Sequence, residues 1–302
     1  MIKLLTIILF ACTALLLTDC NKSDTPLPPT TDLKTYTKKT IQYSFIDGID
    51  PNLLSLDVYY FGSVTSRAPV IVYVHGGGFS IGDKANNMTN KQNLFSSLGY
   101  ILISVNYRLS PSEYTNDPKR IMYPIHNNDI ADAIQWVYNN ISDYGGDRQK
   151  IALLGHSAGA HLVALTGISD RFLPMRGLER TLIKGIACID TEGYDVEARC
   201  LENNEVYRNA FGETNIFWRE ASPIHGIVKG KKYPSFFIAK RGNSRRIGFA
   251  DAFITTLRSA DVNVQEITAN QYDHEGINDA IGAQGEITVT KPLQDFFVTL
   301  FR

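Results

Sequence analysis

The chain has 302 residues, 44 % of them hydrophobic and 20 % charged, which fits a large globular domain and excludes a mini-protein or a wholly disordered chain. Its 30 basic and 31 acidic side chains leave a net charge of −1. That balance offers no footprint for nucleic acid and no field that demands a charged substrate.

Lys3 precedes an apolar run from Leu4 to Leu17, broken only by Thr6 and Thr13. The run is short for a membrane span but suits the apolar core of a secretory signal. It ends in Leu17-Thr18-Asp19-Cys20, which resembles a bacterial lipobox with Asp19 where a small residue is usual. Residues 1–20 are therefore expected to be a signal peptide of lipoprotein type. The resemblance implies a lipidated Cys20 and a periplasmic or cell-envelope protein attached to a membrane. Ordinary cleavage near the same point would instead leave a soluble periplasmic protein. Asn21 to Thr35, with Pro26, Pro28 and Pro29, reads as a disordered linker. The folded domain is expected over 36–302. Cys12 and Cys20 lie in the leader, so Cys188 and Cys200 remain, either bridged in an oxidising compartment or buried as free thiols.

The domain opens with two strand-like segments, Ile41 to Phe45 and Leu54 to Tyr60, joined by a turn-rich stretch. Val70 to Val74 and Ile101 to Val105 are continuous apolar runs, as expected of strands buried on both faces. A helix fits Asn87 to Leu98 between them. Ile130, Ala133, Ile134, Val137 and Ile141 recur on one helical face, and Gly145-Gly146 follows to end it. Further strands fit Ile151 to Leu154, Ile183 to Ile189, Pro234 to Ala239 and Val262 to Ile267. Helices fit the segment to about Thr166, Phe249 to Ala260 and Lys291 to Phe301. This alternation predicts an α/β fold with a mostly parallel sheet between two helical layers. Residues 191–232 form a long excursion, the place for a lid-like or substrate-shaping segment.

Gly155-His156-Ser157-Ala158-Gly159 is a G-x-S-x-G pentapeptide set between a strand and a helix. The context is that of a nucleophile elbow, a sharp turn presenting a serine hydroxyl at a helix N-terminus. Upstream, His75-Gly76-Gly77-Gly78-Phe79 follows a buried strand. Acyl transfer creates a negative oxygen that backbone N–H groups must meet, and side chains would block that approach. Gly77, Gly78 and Ala158 are the candidate donors. His274 follows the last strand and precedes the last helix, the chain position of the base in the order serine, acid, histidine. His75 reads as a structural hydrogen-bonder, His161 as a packed residue, and His126, His156 and His225 are placed less favourably.

Taken together, His75 to Phe79, Gly82-Asp83, Asn106 to Leu109, Tyr144 to Asp147, Gly155 to Leu162 and His274 resemble the α/β-hydrolase superfamily. The likeness is to its hormone-sensitive-lipase-like and carbohydrate-esterase branch, related to the BD-FAE family. It implies an eight-stranded sheet with one strand antiparallel to the rest. It also implies ester hydrolysis through an acyl-enzyme on Ser157, with no metal or organic cofactor. The expected substrates are short-chain acyl esters or acetyl and feruloyl groups on carbohydrate. The same fold also hosts aryl-formamidases and could serve a non-catalytic binding protein.

The family usually carries its acid after the strand that here is Pro234 to Ala239. That loop reads Lys240-Arg241-Gly242-Asn243-Ser244-Arg245-Arg246, without a carboxylate. Asp190, just past the preceding strand, is the replacement candidate. Asp251, Glu192, Asn243 or no acid at all are the alternatives, and the plain reading of Asp190 is a helix cap.

Overall fold

The computed structural model describes residues 35–62, 67–115 and 117–302. The expected signal peptide, the lipidation site at Cys20 and all of the linker but Thr35 fall outside them.

Eight strands among the described residues form one sheet. They are β1 (Thr37–Gln42), β2 (Ser55–Tyr60), β3 (Ala68–Val74), β4 (Ile101–Val105), β5 (Gly146–His156), β6 (Ile183–Ile189), β7 (Ser235–Lys240) and β8 (Val264–Thr268). Their spatial order is β1-β2-β4-β3-β5-β6-β7-β8. β2 runs antiparallel to both of its neighbours, and every pairing from β4 to β8 is parallel. β2 is thus the single reversed strand that the family resemblance implied. The architecture is the α/β-hydrolase fold.

Successive side chains of a strand point to opposite faces, so a central strand must be apolar throughout. In β3, Val70, Val72 and Val74 enter one core, while Ile71 and Tyr73 enter the other. The first face is covered by α2 (Ile125–Asn140), α3 (Ala158–Ile168) and α7 (Ser244–Ser259), through Ile134, Leu162, Phe253 and their neighbours. The second is covered by α1 (Thr89–Ser97) and α9 (Thr290–Phe301), through Phe95 and Phe297. Every residue of α3 is buried. The helix that follows the elbow therefore has no solvent face.

Two elements lie elsewhere than their apolar residues suggested. β1 begins at Thr37 and stops before the expected Tyr43 to Phe45, and Phe45 is 80 % exposed. As an edge strand pairing only with β2, it is defined by hydrogen bonds and not by burial. α7 begins at Ser244, five residues before the expected start, because Asn243 Oδ1 accepts from Arg246 N at 2.9 Å and caps the helix. The loop after β7 is correspondingly short, and Arg246 belongs to the first turn of α7. The excursion holds three short helices, α4 (Val196–Leu201), α5 (Glu205–Phe211) and α6 (Asn215–Glu220).

Candidate active site

The candidate residues come from the carboxyl ends of adjacent parallel strands. His75 to Phe79 follow β3, Ser157 follows β5, Asp190 follows β6, Arg241 follows β7, and His274 lies in the loop after β8. Such an edge, where strand ends and helix starts converge, is where α/β sheets bind ligands.

Ser157 sits in a forced conformation, with φ 54° and ψ −120°. Its N–H donates to Ile189 O at 2.9 Å, which ties the turn to the end of β6. The two glycines of the pentapeptide are required by contact. A Cβ on Gly155 would lie 2.4 Å from Gly159 O, and one on Gly159 would lie 2.1 Å from Val74 O. The first turn of α3 can therefore press against β3 only without side chains, and that contact aims the serine outward.

His274 Nε2 lies 2.8 Å from Ser157 Oγ, and His274 Nδ1 lies 2.6 Å from Asp190 Oδ2. An ionised carboxylate only accepts, so the proton belongs on Nδ1, and Nε2 is left to receive the serine hydroxyl. The loop carrying His274 is held by His156, whose Nε2 donates to His274 O at 2.8 Å. Burial pushes the His156 imidazole down to about 3, with the neighbouring His274 adding to the effect, so it stays neutral. His156, His274 and Glu275 offer donor atoms within 4.8 Å of one another. Both His274 nitrogens in that group are already engaged by Ser157 and Asp190.

Asp190 is 2 % exposed and adopts a left-handed backbone, φ 48°, just beyond β6. It does not cap a helix. Its Oδ1 accepts from Arg246 Nε at 2.8 Å, and its carbonyl accepts from Arg246 Nη2 at 3.2 Å. Arg241 Nε approaches Oδ2 at 2.6 Å, but its N–H is not directed at the oxygen, so that contact is ionic. Burial pushes the Asp190 carboxyl up. The hydrogen bonds from His274 and Arg246 and their charges outweigh burial and hold it below its ordinary value.

The other acid candidates stand apart from His274. Asp251 pairs with Lys240 at 2.5 Å and is about half exposed. Glu192 binds Arg246 Nη1 at 3.0 Å and Arg245 at 3.2 Å. Asn243 caps α7. The segment after β7 that lacks a carboxylate thus supplies Arg241 from the loop and Arg246 from α7 to the carboxylate next door, a relation that sequence reading missed. The one signal for it was two arginines standing where an acid was expected.

A cavity of about 200 Å³ opens over Ser157, lined also by Gly78, Ala158, Thr191, Tyr207 and His274. Asn204, Val206 and Tyr207 reach it from the excursion, so residues 191–232 wall the site. Gly78 and Ala158 line this cavity, whereas Gly77 lines a separate recess with His75, His156 and Glu275. The N–H groups of Gly77, Gly78 and Ala158 enter no backbone hydrogen bond among the described residues. Gly77 has φ 106°, and a Cβ there would lie 2.0 Å from Ile81 O. His75 is buried, donates Nδ1–H to Gly76 O at 2.7 Å and stacks on Tyr107 with ring centroids 4.7 Å apart. His161 likewise packs, bonding Ala221 O at 2.8 Å. Cys188 and Cys200 are both free and buried, the unbridged of the two alternatives.

Residues 56–185 match the BD-FAE family. The probable carboxylic ester hydrolase LipM of Mycobacterium tuberculosis is 38 % identical over 255 residues, which is 78 % of this chain and 56 % of LipM. Esterase LipQ of the same organism is 42 % identical over 103 residues, 34 % of this chain and 23 % of LipQ. The chain thus spans little more than half of LipM and under a quarter of LipQ. Among solved structures, esterase B from Lactobacillus rhamnosis aligns with TM-score 0.70 at 18 % identity, over 89 % of this chain and 87 % of that one. A truncated carbohydrate esterase from gut microbiota aligns with TM-score 0.70 at 17 % identity, over 89 % and 98 %. At such identities the structural likeness concerns the fold. In sequence the chain is similar to the BD-FAE family and to esterases, and in fold to the α/β-hydrolases.

Proposed function

We propose that the protein is a serine hydrolase that cleaves carboxylic esters through an acyl-enzyme on Ser157. The observation that carries this reading is the continuous contact Ser157–His274–Asp190 opening into a cavity. His274 Nε2 takes the serine proton as Oγ attacks the acyl carbon, and Asp190 stabilises the imidazolium that forms. The negative oxygen of the tetrahedral intermediate is met by N–H groups of Gly78 and Ala158 at the start of α3, with Gly77 as a third donor. Each such donor typically lowers the barrier by about 3 kcal/mol. The intermediate collapses, the bond to the alcohol breaks, and His274 returns the proton to the departing oxygen. Water then repeats the sequence on the acyl-enzyme, releasing the acid.

The cavity is small, and Thr191, Glu192, Arg199 and Asn204 give it a polar wall. That favours short acyl groups and polar alcohols, including acetyl or feruloyl esters of carbohydrate, over long alkyl chains. The leader and linker pattern of residues 1–35 supports export and attachment through Cys20, which would bring the enzyme to ester-bearing polymers outside the cell.

A fluorophosphonate tests the reaction class. The expected result is one adduct, on Ser157, lost in Ser157→Ala; no adduct overturns it. An ester panel from acetyl to long-chain and feruloyl tests the substrate class. Highest kcat/KM on short or feruloyl esters is expected, and preference for long chains overturns that part. For export, mature protein that keeps Met1 in the native host refutes it.

A further inference from the structure

A serine–histidine–acid relay works because the carboxylate is a negative charge beside an imidazole that turns positive. In this site the carboxylate is not alone. Arg246 binds it side-on through Nε and also grips its main-chain carbonyl through Nη2. Arg241 closes on the oxygen that His274 uses. Two guanidinium charges therefore lie within 3 Å of one carboxylate that is 2 % exposed. Arg246 Nη2 also stands 3.3 Å from His274 Nδ1. Both atoms carry protons when Asp190 is ionised, so this is an approach of two donors and not a bond between them.

The remaining groups around His274 do not cancel this arrangement. From the elbow come the Ser157 hydroxyl and the neutral His156 ring, 4.7 Å away centroid to centroid. From its own loop comes Glu275, near enough to share a donor cluster with both histidines, while Asp273 is turned to Gly276 N. Glu192, behind Arg246, is shared among Arg246, Arg245 and Arg199.

We propose that Arg246 and Arg241 are positioning residues that replace the usual acid-bearing loop: they lock the Asp190 carboxylate against His274. This rests on the reading of Ser157, His274 and Asp190 as the reacting relay. The lock is geometric, because a forked guanidinium fixes the carboxylate and its backbone together. It is also electrostatic, since the Arg246 charge helps to hold the Asp190 carboxyl ionised beside His274.

The test uses Arg246→Gln and Arg246→Lys in the full chain. Arg246→Gln is expected to lower kcat roughly 10- to 100-fold, the scale of groups that orient a reacting residue from behind, with KM unchanged. Arg246→Lys keeps the charge without the fork, so it should recover kcat only in part. The low-field proton resonance of the His274 Nδ1–H···Asp190 bond gives a readout independent of turnover. It is expected in the wild type and weakened in Arg246→Gln. If Arg246→Gln does not fold, Arg241→Gln takes its place.

An unchanged resonance in Arg246→Gln overturns the proposal, even if kcat falls, because that pattern marks mere structural support. Failure of the esterase reading looks different. The wild type would then hydrolyse no ester and take no fluorophosphonate, while the resonance would still report whether Arg246 holds the pair.

Discussion

Arg108 and Asp129 form a two-pronged ion pair behind the His75 to Phe79 loop. Arg108 Nε lies 2.9 Å from Oδ2 and Nη2 lies 2.5 Å from Oδ1, and Asp129 also accepts the backbone N–H of Arg108 at 3.0 Å. Asp129 is fully buried in α2, and Arg108 follows β4. The residues on either side of Arg108 complete a brace. Tyr107 stacks on His75, Asn106 bonds Asp83 and Lys84, and Ser110 N donates to Phe79 O at 2.8 Å. The Asn106 to Ser110 segment thus holds the His75 to Phe79 loop in place. Removing one member of such a pair strands the other charge. Asp129→Ala is therefore expected to destabilise the fold by about 3–5 kcal/mol, read from urea unfolding. A change below about 1 kcal/mol would be the signature of an exposed pair and would contradict this role.

Asp190→Asn keeps shape and removes charge. The amide would offer a donor to His274 Nδ1 and favour the tautomer that faces Ser157 with a proton. Turnover of p-nitrophenyl acetate is expected to fall roughly 10⁴-fold, with the fold retained by circular dichroism. Asp251→Asn, which changes only a half-exposed partner of Lys240, is expected to leave turnover at the wild-type level. The reverse pattern would assign the acid role to Asp251.

Ser157 and His274 were legible in the sequence because their signals are local. The G-x-S-x-G turn is five residues long, and His274 is marked by its position after the last strand. Asp190 was only partly legible: its place after β6 was visible, but its contacts were not. Arg246 lies 56 residues further along the chain and reaches Asp190 only because β6 and β7 are neighbours in the sheet. No periodicity within either segment encodes that pairing. The excursion was legible as a length and not as helices, since α4, α5 and α6 span six or seven residues each, fewer than two turns. The start of α7 was hidden by its polar first turn, where capping by Asn243 does what apolar spacing does elsewhere.

Cys188 lies in β6 with its Sγ 3.6 Å from Ala160 O, and Cys200 lies in α4. Burial pushes the Cys188 thiol up strongly and the Cys200 thiol to about 12. The thiolate is the reactive form, so neither should react while folded. A thiol-specific reagent is expected to modify neither cysteine of a chain beginning after Cys20 in buffer, and both in denaturant. Rapid modification in buffer would show that the packing around β6 opens. Absence of both thiols in denaturant would show a bridge.

Four buried histidines set the acid side of the stability profile, and burial pushes His75 below its ordinary value too. Burial pushes His126 and His156 down to about 3 and His161 to about 4, with neighbouring positive charge adding to the first two. These last three are at most 2 % exposed. Unfolding frees them to bind protons near their ordinary value of about 6.5. The unfolded chain therefore carries more protons than the folded one below that pH, and stability must fall as pH drops from about 6.5 toward about 4. Each of these three histidines contributes a slope of about 1.4 kcal/mol per pH unit through that window. Asp190 acts lower down. Its carboxyl is held below its ordinary value in the fold, so its stabilisation is present above the unfolded carboxylate range and is lost as pH falls through the folded value. The two effects separate by window. His126→Gln removes a ring that otherwise meets Ser110 Oγ at 3.0 Å. It is expected to reduce the slope of unfolding free energy between pH 6 and pH 4 by about one proton equivalent, or 1.4 kcal/mol per pH unit. Urea titrations at four pH values would read it, and an unchanged slope would show that His126 takes up its proton in the folded chain.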